Sequence, residues 1–224
     1  MLEETGIRVK KASAALAAAT SAEKNEMLRA MARSLTENAG SILEANKKDI
    51  ENGRKNGMND AFADRLLLTR ERIESMAKGI EDVIALPDPV GKILWETTRE
   101  NGLKIQRISV PIGVIGIIYE ARPNVTSDAA ALAVKAGNAV ILRGGKEAFL
   151  SNACITDSMR KGLENAGFDP DITELVRDTS RGSSLEMMRM NKYIDALIPR
   201  GSASLINAVV ENSSVPVIET GAGN

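Results

Sequence analysis

The sequence has a short run of cations and glycines that suits phosphate binding. Arg143, Gly144, Gly145 and Lys146 directly follow a buried-looking apolar run at 139–142. Glycine lets a backbone approach a ligand closely, and the two cations can neutralise a phosphate. The pattern favours a ribose 2′-phosphate, and NADPH is the nucleotide that carries one. The alternative is a tight, solvated turn with incidental charges.

A second candidate loop reads Arg200-Gly201-Ser202 and precedes a helical pattern. The backbone amides and positive dipole end of a helix can hold a pyrophosphate. The full G-x-G-x-x-G pattern is absent, so a simple helix cap is the alternative.

A third loop carries Arg122 and Asn124 on either side of Pro123. Arginine can pair bidentately with a carboxylate or phosphate, and the asparagine amide can donate to a developing oxyanion. The alternative is a polar turn that ends where Thr126 caps the next helix.

The residue inventory excludes several classes of site. The chain has no histidine and one cysteine, which rules out Ser/Cys–His triads and most zinc sites, so no metal is expected. Cys154 falls inside a helical pattern at 148–166 and is expected to be a small buried hydrophobe. A net charge of −1 argues against a nucleic-acid partner. The charged N-terminus and the absence of a long apolar run indicate a cytoplasmic protein with no membrane contact.

The elements that must position these loops fall into three sections of one nucleotide-binding domain spanning 1–224. Residues 1–90 are helical, with Thr20 and Thr69 as N-caps. Residues 91–110 contain a hairpin, with strands at 93–98 and 103–107 on either side of an Asn-Gly turn. It either pairs with another subunit or folds onto its own core.

Residues 111–224 alternate strands and helices, which predicts an α/β fold with a Rossmann-like parallel sheet flanked by helices. Strands are expected at 113–119, 139–142, 172–177, 193–198 and 215–218, and helices at 126–136, 148–166, 185–190 and 202–211. Ligands of such sheets lie at the carboxyl ends of the strands. The loops 120–125, 143–147, 199–202 and 219–224 should therefore converge on one crevice.

Three segments carry a specific resemblance: VPIGVIGIIYEARPNVT at 110–126, GNAVILRGGKE at 137–147 and KYIDALIPRG at 192–201. They resemble the gamma-glutamyl phosphate reductase family, also called glutamate-5-semialdehyde dehydrogenase, of the aldehyde dehydrogenase superfamily. The resemblance implies reduction of L-glutamyl 5-phosphate by NADPH to L-glutamate 5-semialdehyde and phosphate in proline biosynthesis. A cysteine thiolate would attack the acyl phosphate, phosphate would leave, and hydride would reduce the thioester.

The resemblance also implies roles for the candidate residues. Residues 143–146 would face the adenosine ribose, 200–202 the pyrophosphate, and Arg122 and Asn124 the substrate, with Asn124 as oxyanion donor. Glu219 is a further candidate, because aldehyde-oxidising relatives use a glutamate near this position to activate water. A reductive reaction needs no such water, and structural hydrogen bonding at the strand end is the alternative.

Members of that family are longer, and their nucleophilic cysteine lies in a second domain beyond Asn224. The catalytic domain is therefore expected to be absent from this chain, and Cys154 matches no catalytic position. We expect cofactor binding without turnover, a homo-oligomer, and glutamate 5-kinase as a candidate partner. A non-catalytic nucleotide-binding or subunit-pairing module is the alternative.

Overall fold

The computed structural model describes residues 2–219, and its first part is a layer of helices. These are α1 (Leu2–Ala17), α2 (Ser21–Glu37), α3 (Ala39–Lys55), α4 (Asp60–Leu66) and α5 (Arg70–Ala85). The predicted cap of α2 is confirmed: the Thr20 hydroxyl accepts the Glu23 N–H at 3.2 Å, and the Glu23 carboxylate accepts the Thr20 N–H at 2.7 Å. Thr69 caps α5 in the same way, by accepting the Arg72 N–H. In the described part of the chain, no helix combines the length and apolarity that crossing a bilayer requires.

The predicted hairpin is confirmed, with its second strand shifted by one residue. Strands β1 (Ile93–Thr98) and β2 (Lys104–Ile108) pair in antiparallel fashion. The turn between them needs glycine at Gly102, where φ is +83°. Large apolar side chains are exposed on this ribbon, including Trp95 at 50%. The two strands therefore contact mainly each other.

The second half of the chain forms the predicted parallel sheet. Its strands are β3 (Val114–Tyr119), β4 (Ala139–Arg143), β5 (Thr173–Leu175) and β6 (Ala196–Arg200), in the order β5-β4-β3-β6. Its helices are α6 (Pro123–Lys135), α7 (Phe149–Asn165), α8 (Arg181–Met188) and α9 (Ala203–Asn212). Every residue of β3 is buried, as expected for a central parallel strand. The predicted α/β fold, with a parallel sheet flanked by helices, is confirmed.

The start of α6 differs from the prediction, because Thr126 is not its N-cap. The helix begins at Pro123, with Arg122 as N-cap, since the fixed φ of proline suits the first helical position. Thr126 instead lies inside the helix and is fully buried. Its hydroxyl bonds with the Tyr119 hydroxyl at 2.7 Å and donates to Asn152 Oδ1 at 3.1 Å.

Two late strands also differ from the prediction. The expected strand at 193–198 begins only at Ala196, because Tyr193 and Ile194 belong to a turn in which both N–H groups donate to the Met190 carbonyl. The expected strand at 215–218 is reduced to one bridge between Leu197 and Val217. Pro216 lies in this segment and has no N–H to donate to a ladder.

Candidate functional site

Three of the four candidate loops lie together at the carboxyl ends of the parallel strands. The register pairs Ile118 with Arg143 and Tyr119 with Arg200, so that both arginines flank the end of β3. The Glu120 N–H then donates to the Arg200 carbonyl at 3.3 Å. The fourth loop starts at the exposed Glu219, and its remaining residues, 220–224, lie outside the described residues.

A large cavity of about 920 Å³ opens beside two of these loops. One wall is apolar and comes from β3 and α6, including Ile115, Ile117 and Leu132. The polar rim contains five of the residues selected from sequence: Arg122, Asn124, Arg200, Gly201 and Ser202. A cavity of this size that combines an apolar wall with convergent polar groups is typical of cofactor and small-molecule sites.

The N-terminus of α9 already holds a carboxylate. Ser202 is its N-cap and accepts the Leu205 N–H. The Ser202 N–H donates to Glu120 Oε1 at 2.8 Å. Bonds from the backbone and hydroxyl of Ser202, with the charges of Arg122 and Arg65, hold the pKa of Glu120 below its usual range. This helix end therefore stabilises an anion, as its dipole predicts.

In the loop after β4, unlike the loop after β6, the arginine side chain is bound to backbone carbonyls. The Arg143 guanidinium donates to the carbonyls of Gly144 at 2.9 Å, Thr179 at 2.8 Å and Ser180 at 3.1 Å. Its Nε is buried and has no hydrogen-bond partner among the described residues. Burial lowers the pKa of this guanidinium. Arg143 thus holds the loop against the start of α8, and it does not line the large cavity.

The two glycines of that loop are required by packing. A Cβ on Gly144 would collide with Asn152 Nδ2 and lie 3.0 Å from the Tyr119 ring. A Cβ on Gly145 would lie 3.0 Å from the Ala121 backbone nitrogen. Lys146, in contrast, is exposed. The cofactor-binding role of residues 143–146 therefore stays a prediction.

A smaller cavity of about 490 Å³ adjoins the first, between α4, α5 and the start of α6. The two cavities share Arg122, Asn124 and Asp128. The smaller one is also lined by Asp64, Arg65 and Arg72, with the apolar Leu67, Leu68 and Met76 among its other residues. A ligand that enters either cavity will meet the three shared side chains.

Asp128 is a site residue that the sequence reasoning missed. It accepts the Asn124 side-chain amide at 3.1 Å, which fixes the orientation of the proposed oxyanion donor. The surrounding protein partly desolvates the Asp128 carboxylate, which raises its pKa. The hydrogen bond from Asn124 lowers the pKa but offsets this effect only in part. The available signal was the i, i+4 spacing of Asn124 and Asp128, which places them on one face of α6.

The loops rest on buried polar contacts from the helical layer. Asp49 of α3 accepts the N–H groups of Leu150 and Ser151 at 3.2 and 2.7 Å, and so caps α7 from another helix. Asn46 donates to the Leu66 carbonyl at 2.8 Å and accepts the Leu68 N–H at 2.8 Å. The Asn46 bonds fix the segment at 66–68, part of which lines the smaller cavity, and the Asp49 bonds fix the start of α7.

The lone cysteine lies elsewhere. Cys154 is half-buried in α7 and lines a separate cavity of about 420 Å³ between α3 and α7. Burial raises the pKa of its thiol, which disfavours the nucleophilic thiolate. Within residues 2–219, no three His, Cys, Asp or Glu side chains are grouped closely enough to hold a metal.

Comparisons with known proteins agree with this architecture. The gamma-glutamyl phosphate reductase of Clostridium novyi is 52% identical over 221 residues, which are 99% of this chain and 53% of that protein. That of Streptococcus suis is 56% identical over 205 residues, which are 92% of this chain and 50% of that protein. The chain spans about half the length of the curated relatives it matches.

Solved structures give the same result. The gamma-glutamyl phosphate reductase of Thermotoga maritima superposes with a TM-score of 0.97 at 44% identity, covering 100% of this chain and 54% of that one. The Saccharomyces cerevisiae reductase gives a TM-score of 0.87 at 28% identity, covering 96% of this chain and 55% of that one. A sequence model of the aldehyde dehydrogenase family matches residues 5–223, and the chain therefore belongs to that family.

Proposed function

We propose that this chain is the nucleotide-binding portion of an NADPH-dependent reductase that converts L-glutamyl 5-phosphate to L-glutamate 5-semialdehyde and phosphate. The supporting observation is the larger cavity, where a helix N-terminus and Arg200 meet an apolar wall beside Arg122 and Asn124. The relatives named gamma-glutamyl phosphate reductase support the same reaction in proline biosynthesis. We further propose a cytoplasmic location, because the substrate and cofactor are soluble.

The cofactor is proposed to lie across the ends of β3, β4 and β6. The Ser202 N–H and Arg200 would hold the pyrophosphate, and the exposed Lys146 would reach the ribose 2′-phosphate. Arg143 could join it only by releasing the carbonyls of Thr179 and Ser180. NADPH, when bound, supplies the hydride.

The substrate is proposed to lie where the two cavities join. Asn124 donates one amide N–H to Asp128 and keeps the other for the acyl oxygen, on which negative charge develops. Arg122 carries a fixed positive charge beside both cavities and would pair with the leaving phosphate. The nucleophilic cysteine is proposed to lie outside this chain, so that the chain binds cofactor without turnover.

Fluorescence titration with NADPH tests the cofactor site. We expect saturable binding that weakens about tenfold or more in Arg200→Ala and in the double variant Arg143→Ala, Lys146→Ala. Lys55→Ala, which removes an exposed cation at the end of α3, is the matched control and should bind as the wild type does. Wild-type affinity no better than that of the double variant would contradict the proposed site.

A second function, subunit pairing through the hairpin, is favoured by its exposed apolar residues. Leu94, Trp95 and Leu103 are each at least 50% exposed. An apolar ribbon with free edges can pair with a second copy. Sedimentation should find a dimer that is lost when residues 95–107 are deleted, whereas a dimer that survives the deletion would exclude this role.

A further inference from the structure

The smaller cavity contains charges that the fold leaves without ionic partners. Asp64 is neutralised by Arg72, at 3.2 Å, and Arg72 also donates to the carbonyls of Asp64 and Leu67, both at 2.7 Å. Asp128 receives only the neutral amide of Asn124, and no described cation lies within ion-pairing distance of it. Asp128 is solvent-accessible at the cavity and makes no ion pair with the arginines that line it, so its carboxylate is available to a cationic ligand.

The same cavity contains cations of the complementary kind. Arg65, at the end of α4, makes no hydrogen bond or ion pair within the described residues, although its charge acts on Glu120 together with that of Arg122. Arg122, which is proposed to pair with the phosphate, also lines the cavity. Beside it the cavity presents one carboxylate from α6 and one further available guanidinium from α4. This is the charge pattern that a zwitterionic α-amino acid head group requires.

A metal ion is a poorer occupant. Asp128 is accompanied by a single amide donor, and residues 2–219 contain no group of three or more ligating side chains. Divalent cations need several oxygen ligands, whereas an ammonium group is held by one carboxylate.

We propose that the smaller cavity is the specificity pocket for the α-amino acid end of the substrate, with Asp128 pairing with the α-ammonium group and Arg65 with the α-carboxylate. The proposal rests on the function proposed above and deepens it. It makes the protein selective for aminated acyl phosphates over acyl phosphates of simple dicarboxylic acids. Asp128 would also connect recognition of the ammonium group to the reaction, because it orients Asn124, the proposed oxyanion donor.

The test compares two stable probes by isothermal titration calorimetry on this chain. One is the phosphonate analogue of L-glutamyl 5-phosphate, in which CH₂ replaces the bridging oxygen, and the other is the same compound without its amino group. We expect wild type to bind the aminated probe roughly tenfold to hundredfold more tightly. Asp128→Asn should remove that preference, and Arg65→Ala should weaken both probes, because both keep the α-carboxylate.

Asp82→Asn, which makes the same charge change on the solvent-exposed side of α5, is the matched control and should keep the full preference. Thermal unfolding checks that Asp128→Asn is folded. A wild-type preference that persists in Asp128→Asn, an absence of preference in wild type, or a failure of both probes to bind overturns the proposal. NADPH titration of the same samples separates the outcomes, since cofactor binding without Asp128-dependent preference removes only this pocket assignment.

Discussion

The loops after β4 and β6 look alike in sequence, but their arginines and glycines make different contacts in the structure. In each, an arginine is the last residue of the strand and a glycine follows it directly. Arg143 is held by three carbonyls and Gly144 packs against Tyr119, whereas Arg200 lines the larger cavity and Gly201 lies beside the Glu120 side chain. A cation beside a glycine is therefore available to a ligand only where its donors are left without protein acceptors.

Gly144→Ala is expected to have the largest effect on the loop after β4. The new methyl would meet Asn152 and the Tyr119 ring, both buried, so the free energy of unfolding should fall by about 1–3 kcal/mol. Urea denaturation measures it. Gly182→Ala, at an exposed helical position whose nearest atom is 3.5 Å away, should not destabilise the protein. Equal stability of the two variants would refute the packing role of Gly144.

Substitution of Arg143 or Arg200 by alanine should have different effects on stability and on NADPH binding. Arg143→Ala leaves the Thr179 and Ser180 carbonyls without this donor and should lower the free energy of unfolding by about 1–2 kcal/mol. Arg200→Ala should change it by less than about 0.5 kcal/mol while weakening NADPH binding. Chemical denaturation and fluorescence titration on both variants measure the two effects. Loss of stability in Arg200→Ala, with loss of NADPH affinity only in Arg143→Ala, would contradict the roles assigned to the two loops.

Glu120→Gln tests whether the α9 N-terminus is the anion site. The Glu120 carboxylate and a pyrophosphate would compete for the Ser202 N–H, so removing the charge should tighten NADPH binding by about threefold to tenfold. Glu100→Gln, at the tip of the hairpin, is the control and should leave affinity unchanged. Weaker binding in Glu120→Gln would indicate that Glu120 contacts the cofactor favourably.

We expect a smaller effect at Asp49, whose carboxylate accepts two N–H groups at the start of α7, just after the loop that follows β4. Burial raises the pKa of this carboxyl above 3.8, so the folded state binds its proton more tightly than the unfolded state does. As pH falls through the raised pKa towards 3.8, wild type should therefore gain stability relative to Asp49→Asn. Urea denaturation of both proteins at pH 7 and pH 4 measures this difference. A relative loss for wild type at low pH would show that the hydrogen bonds from Leu150 and Ser151 outweigh burial.

Much of the architecture follows from local pattern. The Thr20 capping box, the Gly102 turn and the uninterrupted apolar run of β3 each have a local physical cause, and the structure has all three. Element ends were less predictable. Thr126 has the side chain of an N-cap, but Pro123 starts the helix and Tyr119 and Asn152 take up the Thr126 hydroxyl.

The parallel sheet and the order of the candidate loops follow from the sequence pattern, and the composition leaves no histidine for chemistry. Which charged side chains lack a protein partner depends on the folded structure, because their possible partners are carbonyls and carboxylates distant along the chain. Thr179 and Ser180 satisfy Arg143, Asp64 satisfies Arg72, and neither Asp128 nor Arg200 has an ion-pair partner among the described residues. Local periodicity carries no information on such long-range pairing, whereas ligand binding depends on it directly.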